Sequence, residues 1–427
     1  MIRRTPGRGA TVVIAVGSAL ALATAPAFAV VSGTTNNVDT VSATSDADPD
    51  NIAMSCLAGQ AAVNGIPAIP VLACGVVKKI HVGDSGGSDT VSLGNVTTAF
   101  PAVKVAEVDV DDFGADDVTG SAGHDEISAD FVDTVNAGAG NDRIDGGDTV
   151  DGGDGDDLIV NPDGSAQGGP GNDRIVDPSS GPIDGGPGND TVEFNFIDTT
   201  TDLGLTFVLA DSGLTISAPS ITPVTLPATN LEQWIITMTD GPSSDLMDSR
   251  TYSGRMVFRA LDGNDTFLGG AGPDYVDGGT GNDSLTPGGG SDAVHGGEGN
   301  DTVNVRDGVT DIVDCGAGTD SVTADRSDAL SNCENVSLPA PETDKIAGPK
   351  KVTKGEKATF TFGSSTAGAT FECQVDKGAF KACSSPFKVK TKKLKTGKHT
   401  LSVRAVQPAG NADATPSTFK FKVVAKK

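Results

Sequence analysis

Aromatic residues are scarce in this 427-residue chain: one tryptophan, two tyrosines and sixteen phenylalanines make up 4% of it. Hydrophobic residues reach only 37%, which excludes one large globular core, although the length has room for two or three domains. Histidine is scarcer still, with His81, His124, His295 and His399 the whole supply. None of the four belongs to a Ser/His/Asp or H-E-x-x-H constellation, so the chain is not expected to be an enzyme. No Cys-x-x-Cys pair is present, which removes the common zinc and redox sites. Beyond the N-terminus no apolar run is long enough to span a bilayer. Basic residues are few before residue 341, which argues against nucleic acid as a partner of that part.

What is present at the N-terminus reads as an export signal. Arg3, Arg4 and Arg8 form a basic start, residues 12–25 are apolar or small, and Ala27-Phe28-Ala29 fits a cleavage site. The expected signal is therefore 1–29, and the mature protein is expected outside the cell or at its surface. Six cysteines suit an oxidising compartment. Their spacing suggests three local pairs, Cys56 with Cys74, Cys315 with Cys333 and Cys373 with Cys383, although spacing alone does not fix connectivity. Charge is divided unevenly. Residues 341–427 hold seventeen lysines and one arginine against six acidic residues, a net of +12. The first 340 residues therefore carry −38 of a chain whose total is −26. An acidic body of that charge needs cationic partners or must stay expanded.

Glycine is abundant, at 56 residues, and it recurs in a pattern. Gly269-Gly270-Ala271-Gly272-Pro273-Asp274-Tyr275-Val276 is followed nine residues later by Gly278-Gly279-Thr280-Gly281-Asn282-Asp283-Ser284-Leu285. Asp265, Asp274, Asp283, Asp292 and Asp301 fall at strict steps of nine. An earlier block spells the same pattern around Asp142, Asp157, Asp173 and Asp190, at steps of 15 to 17. Degenerate copies around Asp116, Asp125, Asp245 and Asp320 extend the pattern to about residues 80–325. Glycines permit positive φ and bring carbonyl oxygens together in a tight turn. The aspartate supplies the hard oxygen that calcium prefers. The apolar residue two places later points inward from a very short strand, and only stacked turns can bury it.

This spelling resembles the hemolysin-type, or RTX, calcium-binding repeat, written G-G-x-G-x-D-x-U-x with U apolar. The resemblance implies an all-β fold, a parallel β-roll (β-solenoid) with calcium held between successive turns. It makes Asp125, Asp142, Asp157, Asp173, Asp190, Asp265, Asp274, Asp283, Asp292, Asp301 and Asp320 the expected metal ligands. If two nonapeptides form one coil, steps of nine place ligands on both edges of the roll. The longer steps at 142–190 place them chiefly on one edge.

Residues 30–80 are expected to cap the roll, which should span 81–338 with an insertion at about 193–240. That insertion reads as a hairpin-like excursion beside the roll, with re-entry near Leu231–Met238 and Trp234 capping a core. After Leu338-Pro339-Ala340-Pro341 the pattern changes to alternating strands, among them Phe371/Cys373/Val375 and Leu401/Val403/Ala405. With Ala409-Gly410-Asn411, these segments resemble bacterial Ig-like domains, which implies a small β-sandwich over 341–427. Lys388, Lys390, Lys392, Lys393, Lys395 and Lys398 there offer contacts to anionic wall polymers, or simply a solvated face. The expected function is a secreted, calcium-binding structural or adhesive protein that folds on binding calcium. The alternative is a polysaccharide-binding or carbohydrate-active solenoid of lyase or epimerase type. Expected partners are calcium ions and cell-wall or extracellular polysaccharide.

Overall fold

A computed structural model describes residues 105–110, 114–195, 204–218, 221–238, 243–366, 368–407 and 412–426. Before these it describes 12–14, 28–34, 37–44, 51–57, 60–63, 66–67, 79–83, 88–94 and 96. Most of the expected export signal, Cys74 and Ala409-Gly410-Asn411 lie outside the described residues. The chain divides into two units, Met1–Val322 with Asp328–Asn335, and Thr323–Ser327 with Val336–Lys427.

The first unit is a parallel β-roll. Short strands alternate between two sheets, so one coil contributes a strand to each. In the first sheet Arg143–Asp145, Leu158–Val160 and Arg174–Val176 pair in parallel, with Ile144, Ile159 and Ile175 in register. In the second, Thr266–Leu268, Ser284–Thr286 and Thr302–Asn304 stack likewise, with Phe267, Leu285 and Val303 aligned. Three-residue strands have one inward side chain each, because side chains alternate faces. That residue is the apolar member of the nonapeptide, and it is buried. Parallel pairing in the first sheet already begins at Asn37–Thr44 against Lys79–Gly83. Ordered stacking thus reaches further toward the N-terminus than the repeat spelling does.

The insertion differs from its expected form. Thr206–Ala210, Gly213–Ala218 and Ile221–Thr229 make an antiparallel meander that continues the second sheet instead of leaving it. Its last strand pairs in parallel with Ile183–Asp184 before it, and its first with Leu246–Thr251 after it. The chain then re-enters the first sheet at Gln233–Thr237, where re-entry was expected. The physical reason is the edge problem: a hairpin outside the sheet would leave unpaired backbone groups, whereas inside the sheet both flanks are bonded.

This middle segment also holds most of the aromatic bulk. Trp234, Phe207, Phe258 and Phe267 are the largest fully buried aromatic side chains of the roll. Phe194 stacks on Trp234 with centroids 5.9 Å apart, and Phe258 on Phe267 at 5.4 Å. Trp234 is 1% exposed, a core residue as expected. A disulfide joins Cys315 to Cys333 across paired coils near the end of the roll.

The second unit is all-β as well. A five-stranded sheet contains Lys351–Thr353, Ser417–Val424, Gly397–Val406, Thr370–Val375 and Lys381–Cys383 in that order, and Lys357–Phe360 pairs with Phe387–Lys390 in a second sheet. Both sheets bury residues into one core, including Val352, Phe360, Val389, Leu401, Val403 and Phe421. Cys373 and Cys383 are disulfide-bonded, closing the hairpin as expected. No helix among the described residues is long and apolar enough to cross a membrane.

Candidate metal centre

Each aspartate of the repeat stands immediately before a strand, where the chain turns from one sheet into the other. Asp142, Asp157, Asp173 and Asp190 all precede first-sheet strands and line one edge. Asp265, Asp283, Asp301 and Asp320 precede second-sheet strands and line the opposite edge, whereas Asp274 and Asp292 lie on the first. The step lengths in the sequence thus correspond to the two placements expected of them.

Along each edge the aspartates form a ladder. The backbone N–H of Asp142 donates to Oδ1 of Asp157 at 2.7 Å, that of Asp157 to Asp173 and that of Asp173 to Asp190, both at 2.8 Å. On the other edge Asp265 donates to Asp283 at 2.8 Å, Asp283 to Asp301 at 2.9 Å and Asp301 to Asp320 at 2.8 Å. Asp274 donates to Asp292 in the same way. One carboxylate oxygen per coil is thereby satisfied.

The other oxygen is not. Oδ2 of Asp142, Asp157, Asp173, Asp190, Asp265, Asp274, Asp283, Asp292, Asp301 and Asp320 is buried and accepts no hydrogen bond. A buried carboxylate oxygen without a donor is costly unless a cation meets it. Burial accordingly pushes the carboxyls of Asp142, Asp173, Asp265, Asp274 and Asp283 up to about 7, with neighbouring carboxylates adding to the effect. Glycine makes room beside these oxygens. A Cβ on Gly152 would sit 2.6 Å from Oδ2 of Asp157 and 2.7 Å from the carbonyl oxygen of Gly168. Gly155, at φ 135°, is held in the left-handed region, and a Cβ there would overlap the carbonyl oxygen of Gly140.

Carboxylate oxygens without donors therefore lie close to glycine carbonyl oxygens at turns where a side chain would not fit. Among the described residues no three His, Cys, Asp or Glu side chains gather around one point. A cation seated here would take one or two carboxylates from stacked coils and the rest of its shell from glycine carbonyls. An all-oxygen shell of that kind suits calcium and not zinc or copper. The residues fit the ion.

Asp125 is the exception among the expected ligands. Its Oδ2 accepts the N–H of Ser121 at 2.5 Å and its Oδ1 the Ser121 hydroxyl at 3.0 Å. Both oxygens are occupied within its own turn, and burial raises its pKa to about 6. Asp311, which the nonapeptide phase passes over, occupies a ladder position. It is 1% exposed, accepts from Asp292 at 2.8 Å, and its Oδ2 has no donor. Its signal was Asp311-Ile312-Val313, an aspartate two places before an inward valine. Asp116, Asp133 and Asp245 also stand in the second-edge ladder. Glu232 and Glu334 receive the N–H groups of Asp190 and Asp320 and take over the aspartate's role there.

The first-edge ladder breaks once. In the coil that carries Arg255–Arg259 the aspartate position is taken by Met256, whose N–H donates to Oδ1 of Asp274 at 2.8 Å. Tyr252, 4% exposed, reaches across that turn to donate its hydroxyl to the carbonyl of Leu231.

Comparison with known proteins agrees with this geometry. The model of the RTX calcium-binding nonapeptide repeat matches residues 111–131, 128–159, 259–294 and 288–322. The matched segments flank the aromatic middle of the roll. No curated protein matches the chain. Residues 111–159 and 259–322 of the roll are RTX calcium-binding nonapeptide repeats, and the chain is a calcium-binding repeat protein.

Proposed function

We propose that the chain is a secreted structural or adhesive protein of the cell surface or extracellular matrix, and not an enzyme. Its acidic roll becomes rigid when calcium fills the two edges, with the ladder aspartates as ligands. Its lysine-rich C-terminal unit, read as an Ig-like module, anchors the roll to anionic wall polymer. One observation supports this most: the buried carboxylate oxygens without donors recur coil after coil. Such a roll is poorly stabilised without cations and well stabilised with them. Extracellular calcium sites bind at about 10⁻⁴ to 10⁻³ M. At about millimolar calcium each such site adds roughly 0.4 to 1.4 kcal/mol by linkage. Many sites acting together make order in the roll conditional on export. The test is localisation of the exported protein with and without residues 341–427. Retention by cells that requires the C-terminal unit supports the reading, and retention indifferent to its loss sinks it.

A second reading, a polysaccharide-binding or carbohydrate-active solenoid, draws on a groove on the outer face of the first sheet. His81, Glu107, Glu126 and Arg143 are aligned there across successive strands, beside Asp109 and Asp145. Turnover of acidic polysaccharide that disappears in Arg143→Ala would favour it.

A further inference from the structure

Three lysines lie side by side on the C-terminal unit. Lys351 is in register with Lys422, and Lys422 with Lys398, across three neighbouring strands of the five-stranded sheet. The residues next to them, Val352, Phe421, Val423 and His399, are buried, so the three lysines share the outward face, and all three are exposed. Like charges directly opposite one another destabilise a sheet. None of the three pairs with a carboxylate among the described residues. The sheet's acids are engaged elsewhere: Glu372 with the guanidinium of Arg404, and Asp376 with His399 and the N–H of Thr400. The same arrangement recurs on the smaller sheet, where Lys357 is opposite Lys390. Scattering these lysines among threonines would relieve the repulsion without changing the fold.

We propose that the Lys351–Lys422–Lys398 row is a docking surface for a linear polysaccharide with one carboxylate on each sugar. The proposal rests on the adhesive reading above and names its partner. Neighbouring strands are about 4.8 Å apart, so the row presents one positive charge per strand over about 10 Å. That repeat is comparable to the length of one pyranose unit, so successive uronate carboxylates meet successive ammonium groups. Lysine is suited to the task because its ammonium is a compact charge on a flexible stem and follows charge spacing without demanding a fixed fork geometry. The acidic roll of a second copy is the competing anion. Calcium on its edges reduces that charge, but Asp145 and Asp314, 46% and 44% exposed, remain available outside the buried ladders, so self-association is measured beside the polymers.

The test uses the full chain in calcium, with polygalacturonate, a glycerol-phosphate polymer and neutral dextran as probes. The variants are a row triple, K351Q/K398Q/K422Q, and a scattered triple of equal charge, K345Q/K377Q/K381Q. The row triple should lose about tenfold in affinity for polygalacturonate and much of its salt dependence, whereas the scattered triple should change by a factor of about two. The melting temperature of the C-terminal unit should hold or rise in the row triple, because a repulsion has been removed. Equal losses in the two triples would reduce the row to net charge and overturn the proposal. So would tighter binding to the phosphate polymer, or salt-reversible self-association that only the row triple abolishes. If cells retain the row triple but not the chain lacking 341–427, the row fails while the adhesive reading stands. If deletion of 341–427 leaves retention unchanged, the adhesive reading fails by itself.

Discussion

The backbone N–H of Asp283 donates to Oδ1 of Asp301 at 2.9 Å, eighteen residues further along the chain. The same carboxylate of Asp283 accepts from Asp265 at 2.8 Å and keeps a second oxygen buried without a donor. Asp283 thus does two things: it splices one coil to the next, and it keeps a carboxylate oxygen buried without a donor.

Replacing Asp283 by Ala should therefore remove one splice and one ligand together. The calcium concentration at half-folding should rise several-fold in a titration followed by circular dichroism, with reduced cooperativity. Asp344 is exposed and outside both ladders, and Asp344→Ala should leave the midpoint where it was. Equal midpoints for the two variants would refute the role given to the ladder.

Stability without calcium should fall as pH rises. The carboxyls of Asp142, Asp173, Asp265, Asp274 and Asp283 lie at about 7 in the folded, metal-free roll, above the ordinary range of an unfolded aspartate near 4. A raised folded-state pKa means the folded state binds more protons, so its stability is complete below about pH 4 and is lost as pH climbs through about 7. In chelator the roll should be most ordered near pH 5 and melt toward pH 8. With calcium present that loss should vanish, because cations replace protons on the same oxygens. A chelated roll that gained strand signal on going from pH 5 to pH 8 would contradict this.

The aromatic middle should behave differently from the flanking arrays. Trp234→Ala, at a site 1% exposed and stacked on Phe194, should cost about 3 to 5 kcal/mol. The tryptophan also reports on its surroundings: its fluorescence should stay blue-shifted after chelation while most of the far-ultraviolet strand signal is lost. A red shift that tracked the strand signal step for step would show that the middle has no stability of its own.

Reduction of Cys315–Cys333, or Cys315→Ser with Cys333→Ser, should lower the stability of the end of the roll by about 3 kcal/mol, the loop entropy of an 18-residue separation. Calcium titrations of the reduced protein should show a higher midpoint with the same plateau.

Much of the roll was legible because its coil is short and its chemistry is repeated. Gly-Gly-x-Gly-x-Asp names the turn, and the step between aspartates says which edge each occupies. What the spelling left unread has local causes. Asp311 is nineteen residues after Asp292, so one extra residue carried it out of phase while its Asp-x-Val spelling remained. Asp125 has the right spelling, yet Ser121, an ordinary serine in sequence, satisfies both of its oxygens. The strands at 206–229 alternate like any hairpin. Their membership of the second sheet depends on partners at 183 and 246 that no local pattern reveals.

Tyr252 and Met256 stand where the first edge would otherwise continue, and the meander interrupts the second edge nearby. The roll is thus two aspartate ladders interrupted by a greasy waist. A stack that melts from its ends needs a seed to re-form, since its first coil has no neighbour to lean on. A waist that stays assembled through a calcium shortage would supply that seed on both sides, and recovery would proceed outward from the centre of the chain rather than inward from its tips.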